Sequence, residues 1–378
     1  MKKALMYASV ASMIDLFNMN NIKILQKLGY QVDVACNFEE GSITSDERVK
    51  EFKQELENSG IRCFQIPIPR KLSRIKDIKE SYRLTKELAD RDYDLVHCHS
   101  PIGSVICRYA FRKSSARMIY TAHGFHFFKG APLKNWLIFY PIERWMARYT
   151  DTLITINQED YERAAKFRVR NNVVKINGIG IDASKFKQKD FKNRDPKLTK
   201  ELQIKGDSIV LASVGQLSVR KNHSVIIQAL SELKNDDIKY LIIGEGELRE
   251  ELTQLIKREH LEEQVSLLGY RSDVDKILQV TDIFVFPSLQ EGLPVSLMEA
   301  MGTGLPCITS DIRGNSDLID HNLGGYLCNN TVEEYVKEIK SLIEDKHKRL
   351  SFGRYNLNKI SDFDKNVINQ EMEKIYSK

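Results

Sequence analysis

Residues 286–306 read Phe-Pro-Ser-Leu-Gln-Glu-Gly-Leu-Pro-Val-Ser-Leu-Met-Glu-Ala-Met-Gly-Thr-Gly-Leu-Pro, and this stretch decides the fold. The apolar run 283–287 predicts a strand, and a polar loop follows it. Pro294 stands in the expected first turn of a helix, where its missing N–H costs nothing. The helix should run to about Met301 and end at the glycines. A strand, a loop and a helix in this order are the repeating unit of a parallel sheet covered by helices.

The same alternation extends along the chain on both sides of this unit. Further short apolar runs typical of buried strands occur at 4–10, 31–35, 63–66, 95–98, 118–121, 152–156 and 173–176, and at 209–214, 240–243, 265–267, 306–309 and 325–327. We therefore predict an α/β fold with two doubly wound, Rossmann-like parallel-sheet domains facing a central cleft. Because such sheets bind ligands outside the carboxyl ends of their strands, the loops after the strands should carry the chemistry.

The alternation stops over residues 182–205, which are rich in Lys and Asp. A length of 378 residues fits two domains of ordinary size. The predicted boundaries are 1–182 for the first domain, 183–205 for a linker, 206–358 for the second domain and 359–378 for a C-terminal helix that crosses back to the first.

Composition excludes several classes of protein. The chain is 42% hydrophobic and 29% charged with a net charge of +5, far from the basicity of a dedicated nucleic-acid binder. Its six cysteines form no C-x-x-C pair, which argues against a zinc site or a disulfide framework and fits a reducing cytoplasm. No apolar stretch reaches the roughly 18 residues of a membrane span, and the N-terminus is more typical of a strand than of a signal peptide. We expect a cytoplasmic protein without a nucleic-acid partner.

Two loops of the second domain carry charged residues beside the predicted helix N-terminus. Glu291 lies before the helix, whose free N–H groups suit a diphosphate. Glu299 lies inside the helix, where its carboxylate can accept hydrogen bonds from ribose hydroxyls. Arg220 and Lys221, after strand 209–214, are cations able to neutralise phosphate charge.

Two further loops give weaker signals. Gly244 and Glu245 follow a strand, and the glycine would let the backbone approach a ligand, although the full G-x-G-x-x-G spacing is absent. Tyr270 and Arg271 follow the next strand, where main-chain groups could read a nucleobase edge.

In the first domain the segment 120–126 follows a strand and contains two histidines. We expect His123 to reach a substrate hydroxyl, whereas the aromatic residues around His126 favour packing. His97 and His99 share one face of a strand but have no third ligand close in sequence, so no metal site is predicted.

Taken together, these elements resemble family 4 of the retaining glycosyltransferases, which have the GT-B fold. The resemblance covers nearly the whole chain, and its most specific part is Glu291 and Glu299 with seven residues between them. Gly215-Gln-Leu-Ser-Val-Arg-Lys-Asn-His223, Asn177-Gly-Ile-Gly-Ile-Asp182 and Ser310-Asp-Ile-Arg-Gly-Asn315 are similar to segments of members that build bacterial capsular and exopolysaccharides.

The resemblance implies three catalytic residues. Glu291 would lie near the donor sugar, Lys221 would bind its diphosphate, and His123 would contact the sugar near the reaction centre. Glu299 would bind the ribose. The other residues expected to bind the donor are Gly215, Gln216, Arg220, Gly244, Glu245, Tyr270, Arg271, Gly292, Leu293, Pro294 and Val295. The residues expected on the acceptor side are Ser9, Ser12, His99 and His126.

The chain departs from the family at two places. The family often has Arg immediately after the glycine at 215, where this chain has Gln216, so Arg220 is the candidate substitute cation. The first loop reads Ala8-Ser-Val-Ala-Ser12 without glycines. That loop also argues against a nicotinamide-dependent dehydrogenase, which needs a glycine fingerprint there.

The predicted function is retaining transfer of a hexosyl or N-acetylhexosaminyl group from a nucleotide sugar, with a UDP-sugar favoured, to a polyprenyl-diphosphate-linked saccharide in capsule or exopolysaccharide synthesis. No cofactor or metal is expected, because the cations with the helix N-terminus can stabilise the leaving diphosphate. The alternatives are a catalytically silent partner subunit that binds a sugar nucleotide, a GT-B sugar-nucleotide epimerase and an inverting transferase.

Two segments of the first domain suit a membrane surface. Residues 125–149 contain both tryptophans interleaved with Lys and Arg, and residues 70–79 form a basic run. Aromatic and basic side chains together predict peripheral contact with the inner face of the cell membrane. The alternative is aromatic residues of an ordinary core beside surface lysines.

Overall fold

The computed structural model describes residues 1–70, 73–182, 185–186 and 194–378. Part of the predicted linker, at 183–184 and 187–193, and residues 71–72 of the basic run 70–79 lie outside the described residues. The chain divides into two compact units, one formed by Met1–Ile179 with Asn366–Lys378 and the other by Gly180–Lys365.

The first unit contains a sheet of seven strands among its described residues. The strands are β1 (Lys2–Val10), β2 (Tyr30–Asn37), β3 (Arg62–Gln65), β4 (Leu95–His99), β5 (Arg117–Ala122), β6 (Thr152–Thr155) and β7 (Asn172–Lys175). The helices are α1 (Ala11–Phe17), α2 (Met19–Lys27), α3 (Asp46–Asn58), α4 (Ile75–Ala89), α5 (Pro101–Ala110), α6 (Leu133–Met146) and α7 (Gln158–Ala164), with short 3-10 turns at Phe111–Lys113 and Ala147–Tyr149.

The second unit contains a sheet of six strands in its described part. The strands are β8 (Ile209–Val214), β9 (Ile238–Ile243), β10 (Val265–Gly269), β11 (Ile283–Phe286), β12 (Cys307–Ser310) and β13 (Gly325–Cys328). The helices are α8 (Pro196–Glu201), α9 (His223–Leu233), α10 (Arg249–Arg258), α11 (Val274–Val280), α12 (Val295–Gly302), α13 (Asn315–Leu318), α14 (Val332–Glu344) and α15 (Lys346–Lys359), with 3-10 turns at Val219–Lys221 and Ile360–Phe363. The last helix, α16 (Lys365–Tyr376), returns to the first unit.

Both sheets are parallel and share one topology. The strand orders are β3-β2-β1-β4-β5-β6-β7 and β10-β9-β8-β11-β12-β13. In each sheet the order reverses once, between β1 and β4 in the first unit and between β8 and β11 in the second. Open α/β sheets bind ligands at this switch point, so the topology marks one candidate crevice in each unit.

The strands are apolar because helices cover both faces of each sheet. Every residue of β4, β9 and β11 is buried, which explains the near-continuous apolar runs seen in the sequence. Leu5, Val96 and Met118 belong to the core of the first unit, and Leu211 and Ile242 to that of the second. The prediction of two Rossmann-like parallel-sheet domains is confirmed.

The second unit extends further toward the C-terminus than the predicted boundary at 358. The Ile181 N–H donates to the Phe363 carbonyl at 3.0 Å, and the Lys365 N–H donates to the Ile181 carbonyl at 2.9 Å. These bonds fix residues 359–365 in the second unit, so only α16 returns to the first. No helix among the described residues is both long enough and apolar enough to cross a membrane.

Candidate active site

An ion cluster lies at the switch point of the second unit. The loop after β8 carries Arg220 and Lys221, and the loop after β11 carries Glu291. Arg220 Nη1 and Lys221 Nζ each lie 2.8 Å from the same oxygen of Glu291, Oε1. Arg220, Lys221 and Glu291 were each predicted as site residues, and the structure shows two of them, the cations, bound to the carboxylate of the third.

The packing around Lys221 explains the glycine at 215. Lys221 is only 7% exposed, and its Nζ lies 4.3 Å from the centre of the Phe286 ring. A Cβ on Gly215 would lie 2.9 Å from Lys221 Cε, so a side chain there would displace the end of the lysine. Burial lowers the pKa of Lys221, and contact with the Glu291 carboxylate opposes that effect. The site therefore buries an ammonium group beside its counter-ion.

Arg220 lies on the exposed side of the cluster. Its Nη1 also donates to the Gln290 carbonyl at 2.9 Å, and the Leu289 N–H donates to the Arg220 carbonyl at 2.8 Å. These bonds join the two loops. Gln216 is exposed, and its Nε2 lies 3.5 Å from Glu247 Oε2. Arg220, and not residue 216, supplies the second cation of this cluster.

The segment after β12 supports the Glu291 loop from behind. Arg313 is buried, and its Nε donates to the Glu291 carbonyl at 3.1 Å. Gly314 has a φ of +81°, and a Cβ there would lie 2.4 Å from the Gly292 carbonyl oxygen. In the sequence, Ser310–Asn315 was only a point of resemblance, and its contacts with the Glu291 loop were not predicted. The Arg-Gly pair just after a strand was the available signal.

Helix α12 begins one residue later than predicted. Pro294 has extended φ and ψ of −77° and 121° and is the N-cap, although its carbonyl already accepts the Met298 N–H. No side chain caps this N-terminus, and the first turn has no acidic residue. The N–H groups from Val295 onward thus retain the partial positive charge that attracts an anion. Leu293, which precedes the cap, is buried, and Gly292 carries the carbonyl that faces Gly314.

Glu299 lies in the middle of α12 and is half-buried. Burial raises the pKa of its carboxyl to about 7, and the nearby Asp275 carboxylate adds to the rise. Within the part of the chain that the structure describes, its carboxylate has no hydrogen-bond partner. It is therefore free to accept hydrogen bonds from a ligand.

The glycine after β9 packs tightly against the loop after β8. A Cβ on Gly244 would lie 2.0 Å from the Gly215 carbonyl oxygen, and the Gly215 N–H donates to the Ile243 carbonyl at 2.9 Å. Gly244 is required because two loops pack together there. Glu245, next to it, is exposed and accepts the Tyr270 N–H at 3.3 Å.

The loop after β10 offers main chain and an aromatic ring to a ligand. Tyr270 is 81% exposed. The Arg271 guanidinium is bound by Asp273 at 2.7 Å and by Glu201 at 2.6 Å. Its charge is thus neutralised within the protein, and these ion pairs leave the predicted main-chain contact at this loop untouched.

A cavity of about 650 Å³ lies at the carboxyl ends of β1, β4 and β5 in the first unit. It lies beside the switch point of this sheet. Its lining includes Ser9, Ser100, His123, His126 and Arg70. Arg70 is exposed and has no hydrogen-bond or ion-pair partner among the residues that are described.

The four predicted acceptor-side residues have different surroundings. Ser9 lines the cavity, and its Oγ accepts the Gly103 N–H at 3.1 Å. His126 also lines it, with its ring 4.6 Å from that of Phe139. Ser12 is buried outside the cavity lining and accepts the Ile43 N–H at 3.2 Å. His99 lies behind His123, with its Nδ1 3.0 Å from His123 Nε2.

Two family models match the chain. "Glycosyltransferase Family 4" matches residues 19–185, and "Glycosyl transferases group 1" matches residues 195–359. The chain is 32% identical over 332 residues to "Putative glycosyltransferase EpsD" of Bacillus subtilis, covering 86% of this chain and 83% of that protein. It is 32% identical over 299 residues to an Escherichia coli protein named "UDP-Gal:alpha-D-GlcNAc-diphosphoundecaprenol alpha-1,3-galactosyltransferase", with 76% of each chain covered.

The fold is similar to that of solved structures. Anabaena Alr3699/HepE, crystallised in complex with UDP, superposes with a TM-score of 0.77 over the full length of both chains at 20% identity. At that identity the likeness establishes the GT-B fold alone.

Proposed function

This chain belongs to glycosyltransferase family 4 and is an enzyme that transfers sugars, and we propose that it moves a hexosyl or N-acetylhexosaminyl group from a nucleotide sugar to a polyprenyl-diphosphate-linked saccharide. We propose a UDP-sugar as donor, retention at the anomeric carbon, no metal, and a place in bacterial capsule or exopolysaccharide synthesis. The name of the Escherichia coli relative, which specifies UDP-Gal and a diphosphoundecaprenol acceptor, supports the donor and the acceptor class.

The ion cluster is the observation that carries the proposal. Arg220 and Lys221 both contact Glu291 Oε1, so one carboxylate faces two cations and the cluster keeps a net positive charge. A nucleoside diphosphate carries more negative charge than a carboxylate and would displace Glu291 as the counter-ion. The same cations would then stabilise the charge that grows on the diphosphate as the glycosidic bond breaks.

Displacement of Glu291 would free its carboxylate for the sugar. The uncapped N-terminus of α12 follows Glu291 by four residues and would bind a phosphate oxygen through its N–H groups. Glu299, one turn into the helix and without a hydrogen-bond partner in the described structure, would accept the ribose hydroxyls. Diphosphate, sugar and ribose would thus each have a group on one loop-helix segment.

The acceptor is assigned to the cavity of the first unit. Its volume of about 650 Å³ suits a saccharide. Arg70 would bind a phosphate of the acceptor diphosphate, since guanidinium groups bind phosphate oxygens bidentately. His123 and His126 would contact sugar hydroxyls.

An exposed face of α6 supports peripheral membrane contact. Leu133, Leu137, Ile138 and Trp145 are large apolar residues exposed on one side of this helix, and Lys134 and Arg144 lie among them. Apolar and basic residues on one helix face suit the interface of an anionic membrane. We propose that this face contacts the inner leaflet.

Only part of the two segments that the sequence suggested is available for this contact. Phe125 and Phe127 belong to the buried core, as the alternative interpretation held. In the basic run 70–79, Arg74 is paired with Glu40 and Asp77. The aliphatic side chains of α6, and not the aromatic ones before it, carry the proposal.

Donor binding tests the proposed function. Thermal unfolding and calorimetry with UDP-, GDP- and ADP-sugars would be compared for the wild type, Lys221→Ala, Arg220→Ala and the exposed-surface control Lys257→Ala. We expect the UDP-sugar to stabilise the wild type and the control, by about 2.7 kcal/mol at one hundred times Kd. Both cluster variants should lose roughly tenfold or more in affinity, because each removes a charge-assisted bond to phosphate.

Arg220→Ala keeps the test decisive, because this side chain is exposed and its removal should not impair folding. Equal affinity in wild type and both cluster variants, or no binding of any nucleotide sugar by the wild type, would overturn the assignment.

A further inference from the structure

Three histidines form a connected row at the carboxyl ends of β4 and β5. His99 Nδ1 lies 3.0 Å from His123 Nε2, and His99 Nε2 lies 3.3 Å from Met6 Sδ on β1. The His99 ring also packs against that of His97, with 4.1 Å between centres and a tilt of 43° between the ring planes. Both nitrogens of His99 are therefore engaged, one by a histidine and one by a thioether.

The chemistry of the thioether fixes where the protons are. Sulfur of methionine accepts a weak hydrogen bond but has no proton to donate. A bond between His99 and Met6 therefore requires the proton on His99 Nε2. A neutral imidazole carries one N–H, so His99 Nδ1 is an acceptor. His123 must then donate from Nε2, which leaves its Nδ1 as a lone-pair acceptor.

Burial keeps the His99 and His123 rings neutral, so that each carries only one proton. It lowers the pKa of His123 to about 4. It lowers the pKa of His99 well below its usual value, and the neighbouring His97 and His123 lower it further. Near pH 7 each ring thus has a single proton, and the hydrogen bonds select its position.

His97 is held in place by a hydrogen bond at each of its ring nitrogens. Its Nδ1 lies 2.7 Å from the Tyr376 hydroxyl and its Nε2 lies 2.8 Å from Thr121 Oγ1. With both nitrogens bonded, the His97 ring is held in place, and the His99 ring packs against it. The orientation of His99, and through it that of His123, is therefore determined by β4, β5 and α16.

His123 is the member of the row that a substrate can reach. It lines the 650 Å³ cavity, whereas His97 and His99 are buried outside its lining. Its Nε2 is taken by His99, and its Nδ1 has no hydrogen-bond partner among the described residues. Nδ1 is thus the nitrogen left for a ligand.

We propose that His99 is a positioning residue that holds His123 as the Nε2–H tautomer, so that His123 Nδ1 accepts a hydrogen bond from a substrate hydroxyl. The identity of that substrate as a saccharide rests on the proposed function. An accepting nitrogen favours a hydroxyl and rejects a carboxylate or an ether oxygen, which have no proton to give. The row thereby contributes to selection of the sugar.

Nitrogen NMR of the full-length chain labelled with 15N-histidine tests the proton positions directly. Long-range 15N–1H spectra distinguish a protonated from an unprotonated ring nitrogen, and His99→Gln and His123→Asn assign the signals by their loss. We expect Nε2 protonated and Nδ1 unprotonated in both rings near pH 7. A protonated Nδ1 on His123, or an even mixture of tautomers, would overturn the proposal.

Replacement of the sulfur gives a second, functional test. Met6→Leu keeps the side-chain volume but removes the acceptor from His99, and Met118→Leu is the matched control, since it is buried in the same sheet with its sulfur near Cys98. In Met6→Leu we expect both tautomers of His99 and His123 and a loss in kcat/KM of about two- to tenfold, the contribution of one hydrogen bond. The control should match the wild type in both measurements.

The proposal about His99 and the proposed function can be contradicted independently of each other. An unchanged His123 spectrum in Met6→Leu, or the wrong tautomer in an active wild type, contradicts the proposal about His99 alone. The expected tautomers in a wild type that transfers no sugar support the proton assignment and contradict the proposed function.

Discussion

At the scale of single residues, we propose that Glu291 has two tasks in succession. In the structure it neutralises Arg220 and Lys221, with both cations on one of its oxygens. In the proposed complex the diphosphate takes the cations and Glu291 turns to the sugar. Its charge therefore competes with the diphosphate before it assists the reaction.

Glu291→Gln separates these two tasks. The amide keeps the shape but no longer neutralises the cations, so we expect UDP to bind at least as tightly as to the wild type. Sugar transfer should fall by about 100-fold, a typical loss for a group acting at the transition state. Calorimetry with UDP and initial rates measure the two effects, with Glu262→Gln as an exposed control in the same unit. Weaker UDP binding combined with full activity would contradict this account of Glu291.

Donor affinity should depend on pH through Glu299. Burial raises the pKa of this carboxyl to about 7, and ribose hydroxyls donate to its ionised form. Binding therefore favours loss of the proton, and affinity for a nucleotide sugar should rise by up to about tenfold from pH 6 to pH 8. Glu299→Gln should bind more weakly at pH 8 and should lack this pH dependence. A slope that survives in the variant would assign the titration to another group.

The residues of the cluster could be predicted, but their contacts could not. Arg220, Lys221 and Glu291 each follow a strand, which is visible in the sequence. Their meeting depends on β8 and β11 being neighbours, a consequence of strand order that the alternation of strands and helices does not reveal. The contacts of Arg271 and Ser12 could not be predicted either. Nothing in the sequence indicates that Asp273 and Glu201 bind the Arg271 side chain, or that the Ile43 N–H donates to Ser12.

At the scale of elements, the loop before α12 depends on the close approach of the segment after β12. Gly314→Ala would push a methyl group against the Gly292 carbonyl, and Gly60→Ala is the matched control, since Gly60 has a similar φ of +74° with nothing within 4 Å. Both should lose about 1–2 kcal/mol of stability from the left-handed backbone, and Gly314→Ala should lose more because its methyl group clashes with the Gly292 carbonyl. Only Gly314→Ala should also lose donor affinity, by roughly tenfold. Equal donor affinity in the two variants would show that the support is unimportant for binding.

The exposed face of α6 predicts membrane binding. We expect the wild type to float with anionic liposomes at low salt and less so at high salt, since basic residues contribute to attraction. Leu137→Glu places a charge in the apolar face and should reduce flotation by about tenfold. Ile43→Glu, an equal change at an exposed apolar residue elsewhere in the unit, should float like the wild type. Failure of the wild type to float at low salt would contradict the proposed contact.

Strands were predicted better than helix surfaces. Each strand of the described structure lies within two residues of its predicted ends, because a strand buried on both faces gives an uninterrupted apolar run. The exposure of the side chains in segment 125–149 was harder to predict. Its apolar residues give no sign in the sequence of which side faces the core. Only the packed structure shows that Phe127 is buried while Leu137, on α6, is exposed.

At the scale of the whole molecule, the chain uses one topology twice. Each unit has its candidate site at the carboxyl ends of its own strands, with the ion cluster in the second and the cavity in the first. The sequence predicted this duplication from the alternation that stops and restarts. It did not predict that residues 359–365 belong to the second unit, because that depends on pairing between Ile181 and Asp364, which are far apart in sequence.

Sugar transfer by the purified chain is the decisive measurement for the proposed function. The purified chain would be incubated with labelled UDP-sugars and a polyprenyl-diphosphate-linked saccharide, with and without EDTA, and the product linkage assigned by proton NMR of the anomeric centre. The account predicts that label enters the lipid with or without EDTA, that an α-linked donor gives an α-linked product, and that Glu291→Gln lowers the rate by about 100-fold. Absence of transfer from UDP-, GDP- and ADP-sugars alike, or equal rates for the wild type and Glu291→Gln, would contradict it.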